Sequence, residues 1–180
     1  MDNKIIFLDI DGVLALCTQE HDDYGATFHK QFVDNLKFII DNTQAKIVIS
    51  STWRSSGLEI MKEMWLKRNL PGEIIGVTPY HETRIRGIEI KEYLSQECNF
   101  QRINYDISVF NKYIKDSKCS NYIILDDDSD MLLCQAEHFI KCSCNKDHPD
   151  AIEGYGLTKT NAFKAINILN KNIIDLYYKN

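Results

Sequence analysis

The sequence predicts an α/β fold, a doubly wound parallel sheet of Rossmann type with helices on both faces. Three observations predict it. Short β-branched stretches, apolar on both alternating faces, recur along the chain, as in strands covered from two sides. Segments of helical periodicity lie between them. Polar residues collect just after the strands, at the carboxyl edge where sheets of this kind bind their ligands. With 180 residues, 44% hydrophobic and 26% charged, the chain reads as one domain spanning 1–180, large enough for a layered core.

The elements follow in order. "KIIFLD" (4–9) is the first strand. Phe28, Phe32, Leu36, Ile39 and Ile40 share one face of a first helix. "AKIVIS" (45–50) is the second strand, and Leu58, Met61 and Trp65 mark a helix that Asn69-Leu70-Pro71-Gly72 stops. "EIIGV" (73–77) and "NYIILD" (121–126) are further strands, with Ile88, Tyr93 and Leu94 on a helix between them. A shorter fifth strand is "HFIKC" (138–142), and Phe163, Ile166 and Leu169 define a C-terminal helix. Residues 98–118 hold at most one more helix, "ISVFNKYIKD". No repeat, low-complexity tract or linker divides the chain.

A net charge of −5 and a pI near 5.5 exclude a strong whole-chain attraction to nucleic acid. They leave room for local contact with a nucleic-acid end. No apolar run approaches the roughly 18 residues of a membrane span, and "MDNKIIFLD" has no signal-like apolar region. Six cysteines without framework spacing fit a reduced, cytoplasmic setting.

The chemistry concentrates at three strand ends. Asp9 and Asp11 flank Ile10 just past the first strand, and Gly12 follows where the backbone turns. An Asp-rich turn is the plain alternative. The second strand ends in "SSTWR" (50–54), whose hydroxyls and backbone N–H groups suit a phosphate, or equally a helix cap by Ser55 or Ser56. The fourth strand ends in "DDDSD" (126–130), where adjacent carboxylates repel unless a cation or a basic partner is present. In a parallel sheet Asp9, Asp11, Asp126 and Asp127 converge at one edge. That many hard oxygen ligands suit Mg²⁺ better than a soft metal.

"FLDIDGVL", "IVISSTWR", "TRIRGIEIKEYL" and "YIILDDDSD" resemble, in order, the four motifs of the haloacid dehalogenase (HAD) superfamily. They are most similar to the small HAD domains of Swiss Army Knife RNA repair proteins, whose pattern also holds S-x-W-R, R-G-x-E-I and a late G-L-T, here Gly156-Leu157-Thr158. The resemblance runs from residue 5 to about 160. It implies a Mg²⁺-dependent phosphatase in which Asp9 is the nucleophile and forms an aspartyl-phosphate, while Asp11 is the acid and base. Asp9, the Ile10 carbonyl and the fourth-motif aspartates would hold the metal. Asp127 is favoured as direct ligand with Asp126 behind it, and Asp11 belongs to the same acidic set. Ser50 or Ser51, with a preference for Ser51, would bind phosphoryl oxygens. Among Arg84, Arg86 and Lys91, Arg86 fits R-G-x-E-I as the basic residue of the third motif, and Arg54 is a further phosphate candidate.

Many members of the superfamily carry a large cap domain. Here the stretch from Asp11 to the serines holds about one loop and one helix, which predicts little or no cap and an open site. An open site admits a phosphomonoester on a bulky end, such as an RNA terminus, where Trp53 and Tyr24 could stack on a base; core packing is the ordinary use of Trp53. The alternatives are a nucleotidase or small-metabolite phosphatase, and a non-catalytic binding module of the same fold. His138, Cys142, Cys144 and His148 are ligand types for structural zinc, though at no common zinc spacing. Residues 142–156 are a candidate lid, and "HDD" at 21–23 reads as an exposed loop.

Overall fold

The structure, a computed structural model, describes residues 4–16, 20–97, 121–145, 147 and 152–171. Its centre is a five-stranded parallel sheet built from β1 (Lys4–Leu8), β4 (Lys46–Ile49), β5 (Ile74–Val77), β6 (Asn121–Asp126) and β7 (Phe139–Lys141). The spatial order is β5-β4-β1-β6-β7. Each strand lies within one residue, at either end, of its expected position. The chain builds outward from β1 in one direction through β4 and β5, then returns to the other side of β1 with β6. That reversal makes the carboxyl end of β1 and β6 the switch point where a doubly wound sheet opens a crevice.

Alternation along each strand separates two cores. Ile6 and Leu8 of β1, with Ile47, Ile49, Ile123 and Leu125 beside them, face α1 (Lys30–Thr43), α2 (Leu58–Lys67) and α4 (Lys159–Asn170). Ile5, Phe7, Val48 and Ile124 face the opposite way, onto Ile90 and Tyr93 of α3 (Arg86–Glu97). Phe7 meets the Tyr93 and Tyr122 rings edge-on at 5.6 and 5.8 Å. The double-sided apolar strands are thus explained by cover on both faces.

Two details differ from expectation. The buried face of α4 is Ala162, Ala165 and Leu169, while Phe163 is half exposed and rests edge-on against Phe38 at 5.4 Å. Residues 21–26, part of them expected as a loop, form a small antiparallel hairpin of β2 (His21–Asp22) and β3 (Gly25–Ala26). The helix expected at "ISVFNKYIKD" lies outside the described residues. No described helix is long and apolar enough to cross a membrane.

The Gly156-Leu157-Thr158 segment belongs to the framework. The Leu157 N–H donates to the Val13 carbonyl in the turn after β1, and the Leu157 carbonyl accepts from the Asn35 amide on α1. Thr158 caps α4 by accepting from the Asn161 N–H. Gly156 has φ +62 and lies so close to Phe32 that a Cβ would overlap its ring. Gly156→Ala should therefore lower the unfolding free energy by about 1–3 kcal/mol, measured by urea denaturation. An unchanged midpoint would show that Phe32 yields without penalty.

Candidate active site

β1 ends at Leu8, and the Asp9 N–H still pairs with the Leu125 carbonyl at 2.9 Å, so the sheet itself fixes where this carboxylate starts. Its neighbour β6 delivers Asp126 and Asp127 to the same edge. Asp9, Asp126 and Asp127 each offer a carboxylate oxygen, all within 4.8 Å of one another. Asp9 is 5% exposed and Asp126 fully buried. Gly12, at φ +73, lets the turn pass directly against Asp127, whose carboxylate occupies the place a Cβ would take.

Burial pushes the Asp9 carboxyl up to about 6, against the pull of Arg86, the Ser51 hydroxyl and the Ile10 amide. Burial, joined by repulsion from Asp9, pushes Asp126 to about 8. Arg86 offsets only part of this: its Nε stands 3.4 Å from Asp126 Oδ2, and its Nη2 stands 3.7 Å from Asp9 Oδ1. Asp126 Oδ2 is buried without a hydrogen-bond partner. A buried carboxylate oxygen that Arg86 approaches without a hydrogen bond, beside two more carboxylates, is a donor set for a hard divalent cation, and the trio fits Mg²⁺ on that ground.

The two raised carboxyls bind protons more tightly folded than unfolded, where an aspartate titrates near 3.8. Their contribution to stability is complete below that value and is lost as pH rises through the folded values. The metal-free chain should lose thermal stability between about pH 5 and pH 8, and millimolar Mg²⁺ should restore more of it at pH 8 than at pH 5. Melting curves with EDTA and with Mg²⁺ at both pH values test this; a Tm indifferent to Mg²⁺ at pH 8 counts against the trio as a metal site.

Of the two serines, Ser51 carries its hydroxyl to Asp9 and also accepts from the Trp53 N–H at 3.4 Å, capping the short helical turn Thr52–Ser56. Ser50 is equally buried, and its hydroxyl has no hydrogen-bond partner. The following helix, α2, starts after Gly57 with no side-chain cap, so neither Ser55 nor Ser56 caps it. Among the three basic candidates of the third motif, Arg86 reaches the carboxylates, while Arg84 and Lys91 are exposed. Asp130 holds the start of α3, its Oδ2 accepting from the Arg86 N–H at 2.8 Å.

Three expectations are corrected. The Ile10 carbonyl accepts from the N–H groups of Val13, Leu14 and Ala15 at 2.9–3.2 Å, which closes the turn instead of addressing a metal. The Asp11 carboxylate is exposed and stands apart from the trio; its Oδ2 accepts from the Trp53 indole at 3.0 Å. Asp11 is therefore not one of the clustered carboxylates. Arg54 is no surface phosphate clamp. It is 5% exposed, paired with Glu89 at 2.6 Å, and donates to the Ser50 and Ser51 carbonyls at 2.5 and 2.8 Å. Its guanidinium also covers the Tyr80 ring at 4.1 Å.

Glu89 was legible only as part of R-G-x-E-I, and its partner was not. The zinc candidates separate in the described region. His138 stacks on Tyr122 and bonds its carbonyl through Nδ1, while Cys142 is buried, with its thiol pushed up to about 12 by that burial. His148 lies outside the described residues, as does part of the 142–156 stretch.

A parallel sheet with an aspartate trio at its switch point defines the class: an α/β protein with a carboxylate cluster at one strand edge that could hold a metal ion. Residues 5–146 match the model of the family described as the HAD domain in Swiss Army Knife RNA repair proteins. The chain belongs to this family, and so to the HAD superfamily of hydrolases. A solved structure described as a HAD superfamily (subfamily III A) hydrolase from Legionella pneumophila aligns over 100% of this chain and 91% of its own, at 14% identity and a TM-score of 0.39, a likeness too slight to carry weight. A search of curated proteins found no match.

Proposed function

We propose that this chain is a Mg²⁺-dependent phosphohydrolase that removes the phosphoryl group of a phosphomonoester through an aspartyl-phosphate. The observation that carries the reading is the surround of Asp9: a hydroxyl from Ser51, a guanidinium 3.7 Å away, and two further carboxylates. A lone buried carboxylate needs no such company; one that must attack a phosphoryl group does.

Held by Asp9, Asp126 and Asp127, Mg²⁺ would neutralise phosphoryl charge and keep Asp9 ionised. An Asp9 oxygen attacks phosphorus as the bond to the leaving oxygen breaks, and Asp11 gives that oxygen its proton. Asp11, now ionised, takes a proton from water; the water oxygen attacks phosphorus, the bond to Asp9 breaks, and phosphate leaves. Ser51 and Arg86 orient the transferring oxygens throughout.

The open surround favours a bulky substrate. Among the described residues between Asp11 and Ser50, the chain contains the β2–β3 hairpin and α1 beside the sheet strand and no inserted cap. Together with the family's description, this supports an RNA end as the substrate. The test compares turnover of an aryl phosphate, of 3′- and 5′-phosphorylated oligonucleotides and of free nucleotides, with Mg²⁺ and with EDTA. Preference for the oligonucleotides supports the RNA-end reading. Preference for nucleotides replaces it with a nucleotidase, and no Mg²⁺-dependent turnover on any of them leaves a binding module.

A further inference from the structure

Trp53 has no place in the chemistry above, yet its indole touches the residue that moves the proton. Its Nε1 donates to Asp11 Oδ2 at 3.0 Å. We propose that Trp53 is a positioning residue of the reaction: it fixes the Asp11 carboxyl so that the other oxygen, Oδ1, carries the acid proton toward the leaving group. The inference rests on the phosphohydrolase reading and names a residue that makes it work.

An exposed aspartate on a turn is free to sample several rotamers, which is poor placement for a group that must meet one oxygen. The indole removes that freedom because it is itself clamped. The Phe28 ring lies 5.8 Å away at 57°, and the Arg68 guanidinium stands 5.7 Å from the Trp53 ring. From the hairpin, Gly25 comes so near that a Cβ there would stand 3.2 Å from Trp53 Cη2. Arg68 is locked in turn by Asp22 of β2, with its Nε and Nη2 on the two carboxylate oxygens at 2.9 and 2.5 Å. The hairpin and α2 thus converge on one side chain, and that side chain ends on Asp11.

The choice of donor matters as much as the grip. An indole N–H gives a hydrogen and cannot accept one. With Oδ2 accepting from it, a protonated Asp11 bears its hydrogen on Oδ1. In the first half-reaction the Oδ1–H bond breaks and the proton passes to the leaving oxygen. In the second half-reaction Oδ1 takes a proton from the attacking water.

Two measurements test this on the full chain. The first compares wild type and Trp53→Phe by kcat/KM, which reports the step in which the leaving group departs, on an alkyl phosphate and on p-nitrophenyl phosphate. The alkyl leaving group needs the proton; the nitrophenolate hardly does. The variant should lose about 10–100-fold on the alkyl ester and less than about threefold on the aryl ester. Equal losses on both, with wild type active, overturn the positioning role alone. No turnover by wild type overturns the phosphohydrolase reading and this role with it.

The second measurement needs no activity. The chain has two tryptophans, and Trp65 donates its indole N–H to the Pro71 carbonyl at 2.9 Å, remote from Asp11 in sequence and in partner. In ¹H–¹⁵N spectra, Asp11→Ala should move the Trp53 indole resonance and leave that of Trp65 in place. An unmoved Trp53 resonance overturns the proposal whatever the enzyme does.

Discussion

Asp9→Asn should abolish Mg²⁺-dependent hydrolysis of an aryl phosphate, with a loss of about a thousandfold or more in kcat, and should at the same time raise the melting temperature of the metal-free protein. The first effect follows from chemistry. An amide oxygen is a far weaker nucleophile than a carboxylate, and the proposed aspartyl-phosphate needs this one atom. The second follows from electrostatics. Asp9 is buried beside Asp126 and Asp127, and its carboxyl is pushed up to about 6, so at pH 8 the folded chain holds a charge it disfavours. An amide of the same shape keeps the Ser51 contact and removes the repulsion with Asp126. Each kcal/mol recovered is worth about 2–4 °C in a chain of this size. The combination discriminates: a variant that loses activity because it unfolds would melt lower. Turnover that survives in Asp9→Asn would end the nucleophile assignment, and a lower Tm with EDTA present would end the electrostatic account.

The aspartates were legible because their meaning depends on strand ends, and strands apolar on both faces are hard to mistake. β1, β4, β5, β6 and β7 could be placed from their short β-branched runs, apolar on both alternating faces, and a parallel sheet then brings "DID" and "DDDSD" together. What the order of residues does not show is where each polar atom points. Ile10 lies between the two aspartates, which suggested a carbonyl turned to the metal; the tight turn made possible by Gly12 spends that carbonyl on three amides instead. Asp11 has the same residue type as Asp9 two positions before it, and only the fold shows that an indole 42 positions on donates to its oxygen. The α4 face misled for a different reason. Large apolar side chains suggest the core face, whereas small ones, Ala162 and Ala165, are fully buried there and Phe163 is half exposed. The hairpin at 21–26 has strands of two residues, too short for any alternation to be visible. For Asp11 the missing quantity was a distance between residues far apart in the chain.

Arg54 is the instructive case, and it carries the largest expected stability effect. Glu89→Gln should destabilise the protein by about 3–5 kcal/mol in chemical denaturation, and Arg54→Met by a similar amount. Both side chains are 3% exposed and meet at 2.6 Å, so removal of either charge strands the other where water cannot reach it. The pair also spans two elements. Arg54 holds the Ser50 and Ser51 carbonyls at the end of β4, and Glu89 belongs to α3, whose first residue is Arg86. Its other oxygen accepts from the His81 N–H at 3.2 Å, which ties down the loop between β5 and α3. The ion pair is therefore the strut that sets Ser51 and Arg86 at their separation around Asp9. Replacing both partners by apolar residues, Arg54→Met with Glu89→Leu, removes the stranded charge and should recover much of the lost stability. It should not recover turnover to the same degree, because methionine gives the serine carbonyls no donor and leucine gives the His81 amide no acceptor. A double variant that regains both stability and wild-type kcat would show that the strut acts through stability alone; one that regains only the first assigns the pair to the placement of the site.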